Sequence, residues 1–137
     1  ALLATEEVAR SFVPGTHAST FGGGPVIAAA ARAALGVLSD PDFLAAVRQK
    51  GDYVKEKLEA LQARLPVIEE VRGLGLMWGL QLAREGTPVV TDCRERGLLV
   101  NCTQGNVIRL LPPLVVEKAE LDRGMAILAQ ALEAVCS

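Results

Sequence analysis

Between Pro14 and Pro25 the sequence reads PGTHASTFGGGP, which gathers four glycines, two prolines, three hydroxyl side chains and the only histidine into twelve positions. Ser19 and Thr20 offer hydroxyl donors, and Gly22 to Gly24 let the backbone turn tightly and come close to a ligand. The alanine-rich stretch after Pro25 predicts a helix whose N-terminus faces back on this loop, a combination that suits a phosphate. The same composition also describes a plain glycine-rich connection with Ser/Thr turns, and pattern alone leaves both readings standing. No Gly-Lys-Ser/Thr follows, so this is not a Walker A loop. His17 is either a general base or a turn histidine bonded to the backbone; no hydrolase motif with Ser or Cys surrounds it.

Arg109 stands in NVIRLLP, between Val107 and Leu111 on one face of an expected strand. An arginine among aliphatics either reaches solvent at a sheet edge or meets an anion, because an unpaired buried charge is strongly unfavourable. The guanidinium fork matches a carboxylate at two points, which makes Arg109 a candidate carboxylate ligand. An edge-strand charge that discourages aggregation is the other reading. In RGLGLMWGL the glycines invite a dinucleotide reading. Trp78 stands where that fingerprint needs glycine, and strand periodicity continues where a helix should start, so turn and strand glycines fit better. Lys50, Lys55, Lys57 and Lys118 fall on expected solvated helix faces, and none is placed to act as a nucleophile.

The composition is that of an ordinary globular chain: 137 residues, half of them hydrophobic, 22% charged, with a net charge of −2. Lysine and arginine are scattered among acids, so no nucleic-acid surface is indicated. The longest nearly apolar run, Val26 to Leu38, is broken by Arg32 and too short to cross a bilayer. Cys93, Cys102 and Cys136 form no CxxC pair, which points to free thiols in a reducing cytoplasm, with neither a disulfide framework nor a zinc or other metal site. The first residue is alanine, with apolar sequence straight after it, and the chain is expected to be a piece of something longer.

Several elements must hold these residues. Ala1 to Ala9 is expected to end a strand or loop and begin a short helix capped by Thr5. Gly24 and Pro25 open a helix to Leu38, whose small side chains predict close packing and burial. Asp40 and Pro41 start an amphipathic helix to about Leu65, with Phe43, Val47, Val54, Leu58 and Leu61 facing inward. Val67 to Val71 and GLMWGLQL read as strands around a turn at Arg72 to Gly75. A short helix runs from Thr87 to Arg96 and is closed by Gly97. LLVN and NVIRLLP read as strands around a turn at Thr103 to Gly105. The last helix shows Leu121, Met125, Leu128, Leu132 and Val135 on one face and lacks a good cap, since Val116 precedes Glu117; the acids at Glu117 and Glu120 help through the helix dipole. The order predicts a small α+β domain with helices on one face of a short sheet, while residues 1 to about 40 differ in texture.

Taken together, the loop, the glycine strand and the arginine strand resemble the C-terminal part of class III pyridoxal-phosphate aminotransferases. THASTFGGGP resembles that family's H-x-S-T-F/Y-G-G-N-P segment, EVRGLGLMWGLQL its glycine-bearing strand, and GLLVNCTQGNVIRLLPPLVV its closing strands, the last most similar to the acetylornithine type. The resemblance runs from Ala1 to the final helix. It implies a fold-type I (α/β) architecture in which residues 1–40 finish the large cofactor domain, with the phosphate-contacting loop and the start of the interdomain helix. Residues 41–137 would then be the small C-terminal α+β domain.

The resemblance also implies pyridoxal 5'-phosphate as cofactor and a homodimer in which Thr20 binds the cofactor phosphate of the neighbouring subunit. It places Ser19 beside the substrate and Arg109 near the substrate carboxylate. The implied reaction moves an amino group from N-acetylornithine to 2-oxoglutarate in arginine biosynthesis, with ornithine, succinylornithine or 4-aminobutyrate as alternative donors. Two departures stand out. Gly24 replaces the family's asparagine, and the Schiff-base lysine lies in an S-K-x-x-G-G-G-type segment upstream of Ala1. This chain is therefore expected to hold no catalytic residue, to be inactive and without cofactor by itself. A free-standing α+β ligand-binding module that never carries a cofactor is the competing expectation.

Overall fold

Proline and glycine set most of the element boundaries. In the computed structural model, residues 3–17 and 19–136 are described, the last as backbone only. The expectations for Ala1 and Leu2, and for the Cys136 thiol, lie outside what is described. Residues 1–40 and 41–137 form two compact units.

The first unit carries α1 (Glu6–Ala9) and α2 (Pro25–Leu38). Thr5 caps α1, its side chain accepting from the Val8 N–H. Pro25 opens α2 behind Gly24, an N-cap that has no side chain to accept a first-turn N–H. The expected burial of α2 is not found: no residue of the helix is buried, and Val26 and Leu35 are 78% and 63% exposed. Small residues allow close packing, but burial needs a surface to pack against, and α2 has apolar side chains all round.

The second unit begins with α3 (Pro41–Arg64), followed by β1 (Ile68–Leu74), β2 (Met77–Leu82), α4 (Thr87–Glu95), β3 (Asn101–Thr103), β4 (Val107–Leu110) and α5 (Lys118–Cys136). The strands form one antiparallel sheet in the order β1-β2-β4-β3. Trp78, Leu80 and Leu82 alternate inward along β2 and meet Ile108 and Leu110 of β4, as the two-residue period requires. That inner face shares one core with Val54 and Leu58 of α3, Val89 of α4 and Leu128 and Leu132 of α5. The other face of the sheet is open.

Three local expectations are corrected. Arg72, Gly73 and Leu74 belong to β1 and not to the turn, which is confined to Gly75 and Leu76 and uses the positive φ of Gly75 (58°). The β3 strand begins at Asn101 instead of Leu98, and its turn to β4 covers residues 104–106, with Gln104 and Gly105 at φ 54° and 81°. The start of α5 has more than the helix dipole: the Glu120 carboxylate reaches back to accept from the Glu117 N–H at 2.8 Å, half of a capping box.

Candidate functional site

Strand register brings Arg109 into a row that crosses the whole sheet. Arg72 of β1 lies opposite Gly79 of β2, Gly79 opposite Arg109 of β4, and Arg109 opposite Asn101 of β3. All four are on the open face, since their neighbours Trp78, Ile108 and Leu110 fill the core. Arg109 is therefore not an edge-strand charge: β4 is flanked by β2 on one side and β3 on the other.

The two arginines of this row differ in their partners. Arg72 Nη1 donates to Glu70 at 2.6 Å and to the Gln81 side-chain oxygen at 3.0 Å, so a protein carboxylate already answers its charge. Arg109 Nε donates to Asn101 Oδ1 at 3.1 Å, a neutral acceptor, and no carboxylate pairs with Arg109 among the described residues. Gly79 puts no side chain between them, and a Cβ there would crowd Val107 Cγ1 at 3.2 Å. The result is an open depression of about 590 Å³ whose lining includes Arg72, Gly79, Thr103, Val107 and Arg109. An exposed guanidinium with an uncommitted end and no opposing acid is suited to a ligand carboxylate.

Ser19 and Thr20 lie together in the first unit. Ser19 Oγ accepts the Gly22 N–H at 3.1 Å, closing a turn, so this side chain serves the loop as acceptor while its own O–H remains a donor. A Cβ on Gly22 would come to 3.1 Å from Ser19 Cβ, a tight contact, and Gly23 takes a positive φ of 79°, a conformation that favours glycine. Thr20 is exposed, and the first turn of α2 holds no acidic residue. Two hydroxyl donors next to a helix start with free N–H groups and no competing acid form a donor set that fits a phosphate. His17 packs edge-on against Phe12, with ring centroids 6.1 Å apart.

The lysines are occupied at the surface of α3 and α5. Lys50 donates to the Leu114 carbonyl, Lys55 and Lys57 face Glu59 and Asp122, and Lys118 lies 4.5 Å from the centre of the Tyr53 ring. Cys93 is buried and Cys102 partly buried, both as free thiols. Burial first, then the neighbouring Asp92 carboxylate, push the Cys93 thiol up to about 11, against a smaller opposing effect of Arg96. No group of histidine, cysteine and acidic side chains among the described residues is arranged to hold a metal ion.

Sequence reasoning missed Asn101 as a partner of Arg109. A turn at residues 103–105 is centred one residue too early to set them opposite each other, whereas the observed turn at residues 104–106 does so. Gly105 marked a turn, but Gln104 at φ 54° is not a residue type that announces a left-handed position, so the sequence did not fix which residues the turn would use.

A sequence profile described as aminotransferase class-III matches residues 1–132. The acetylornithine aminotransferase of Aquifex aeolicus is 47% identical over 133 residues, which cover 96% of this chain and 33% of that relative. Among solved structures, the acetylornithine aminotransferase from Elizabethkingia anophelis superposes with a TM-score of 0.77 at 32% identity, covering 96% of this chain and 36% of that one. The ornithine aminotransferase from Toxoplasma gondii, described as holding PLP at partial occupancy in its active site, gives 0.77 at 33% identity over 94% of this chain and 31% of that one. The chain thus spans about a third of the length of the relatives it matches.

Proposed function

The chain belongs to the class III aminotransferase family, and we propose that the intact protein is a pyridoxal-phosphate-dependent transaminase acting on N-acetylornithine and 2-oxoglutarate. The observation that carries the reading is Arg109, a guanidinium on an open sheet face with a neutral partner and no acid opposite it. Both substrates bear carboxylates. Arg109 orients one of them, and the open depression beside it has room for the ligand. Pyridoxal phosphate, when bound, supplies the electron sink that stabilises charge on the substrate α-carbon.

In a homodimer, Thr20 donates its hydroxyl proton to an oxygen of the cofactor phosphate bound in the neighbouring subunit, and the first turn of α2 adds backbone N–H donors. Ser19 holds the loop in shape and keeps its own O–H for the substrate side. The lysine that carries the cofactor comes from the remainder of a longer protein, so the 137-residue chain alone binds no cofactor and performs no transamination. The reaction takes place in the cytoplasm as part of arginine synthesis. Ornithine is the second donor to consider, because likeness to the Toxoplasma gondii ornithine enzyme equals that to the Elizabethkingia anophelis one.

Titration of the full-length apoprotein with pyridoxal phosphate, followed by absorbance, tests the cofactor assignment. Thr20→Ala should weaken binding by about 1.5–3 kcal/mol, the range for a hydrogen bond to a charged group. Unchanged affinity would remove Thr20 from the site, and a full-length protein that takes up no cofactor would favour a non-catalytic ligand-binding module.

A further inference from the structure

We propose that Asn101 is a positioning residue, which fixes the edge of the Arg109 guanidinium that a substrate carboxylate meets. The proposal rests on the reading of Arg109 as the carboxylate ligand. A guanidinium can grip a carboxylate by its side, through Nε and one Nη, or by its end, through both Nη atoms. Asn101 Oδ1 takes the Nε–H at 3.1 Å, which uses up the side edge and leaves the end fork for a ligand.

The contact is set by the backbone, since Asn101 and Arg109 are directly opposed across β3 and β4. That register depends on a turn with two successive positive φ angles, at Gln104 and Gly105. On the opposite flank Gly79 has no side chain to offer a competing bond. The neutrality of the amide matters equally. Glu70 cancels the charge of Arg72 in the same row, whereas Asn101 orients Arg109 and leaves its charge for the ligand. An arginine already held in place also loses less freedom when the ligand binds.

The test compares steady-state kinetics of the full-length wild-type enzyme with Asn101→Ala, Asn101→Asp, Arg109→Ala and the double Asn101→Ala/Arg109→Ala variant, varying 2-oxoglutarate. Asn101→Ala should raise KM for the oxo acid roughly three- to tenfold with kcat little changed, the loss of one orienting hydrogen bond. Asn101→Asp should raise it further, because its carboxylate pairs with Arg109 and competes with the substrate. Adding Asn101→Ala to Arg109→Ala should change nothing more. If Arg109→Ala raises KM and Asn101→Ala does not, the positioning role is wrong while the carboxylate reading stands. An equal effect of Asn101→Ala in the absence of Arg109 would also overturn the role. If Arg109→Ala leaves KM unchanged, the carboxylate reading fails and the proposal falls with it.

Discussion

Within the row of side chains that crosses the open sheet face, charge balance distinguishes the two arginines. Arg72 is the better buttressed of the two, but its carboxylate partner makes it a component of the scaffold, and exposed pairs of that kind contribute little to stability. Arg109 has the weaker tether and no carboxylate partner among the described residues. A second residue-scale consequence concerns Cys93, whose thiol is raised to about 11 by burial and by Asp92. In the unfolded chain a cysteine titrates lower, so as pH rises the unfolded state loses its proton first. The stability due to the buried neutral thiol is therefore complete below the unfolded value and is lost as pH climbs toward 11. Urea unfolding measured at a series of alkaline pH values should show stability falling over that window, and Cys93→Ala should flatten this fall whatever stability it loses at neutral pH. An identical pH slope in wild type and variant would contradict the assignment.

At the scale of elements, two helical glycines that look alike in sequence have opposite roles. Gly51 of α3 lies against the β1–β2 turn, where a Cβ would meet the Gly75 carbonyl oxygen at 2.5 Å; that carbonyl also accepts the Trp78 indole N–H at 2.8 Å. Gly124 of α5 has only Leu98 Cδ1 within reach, at an ordinary 3.5 Å. Gly51→Ala should cost about 1–3 kcal/mol by forcing helix and turn apart, and Gly124→Ala should add up to about 1 kcal/mol through helix propensity. Denaturant midpoints for the two variants check this, and a neutral Gly51→Ala would show that the contact between α3 and the turn yields without cost. The glycines of RGLGL have a structural account of the same kind. Gly73 faces the Trp78 ring, where a Cβ would clash, and Gly75 makes the turn. Periodicity made most of this sheet and its helices legible, because Leu76, Trp78, Leu80 and Leu82 alternate and Val54, Leu58 and Leu61 recur along α3. Turn position was less legible: glycines marked that a turn occurs, but the exact residue depends on φ angles and on what each Cβ would strike, which are properties of the packed structure. The Asn101–Arg109 contact was hidden for that reason, since a register one residue off pairs different side chains.

For the molecule as a whole, the buried apolar residues among those described all lie between Val54 and Leu132, whereas α2 is apolar and uncovered. Apolar surface of that kind marks an interaction site or an aggregation liability. The isolated 137-residue chain should self-associate in sedimentation velocity and bind a hydrophobic dye, and a dye-silent monomer would contradict this. The burial expected of α2 failed for a reason the sequence does not contain: composition tells that a helix is fit to be covered, and not what covers it. The family was legible because glycine, hydroxyl and arginine patterns such as those around Thr20 and Arg109 are short and local, and the family match extends over residues 1–132. Amino transfer by the intact protein is measured most directly as glutamate formation from 2-oxoglutarate by the full-length, cofactor-loaded enzyme with a panel of amino donors. N-acetylornithine should be the preferred donor, ahead of ornithine, succinylornithine and 4-aminobutyrate. A clear preference for 4-aminobutyrate would contradict the substrate assignment, and no glutamate from any donor would contradict the transaminase itself.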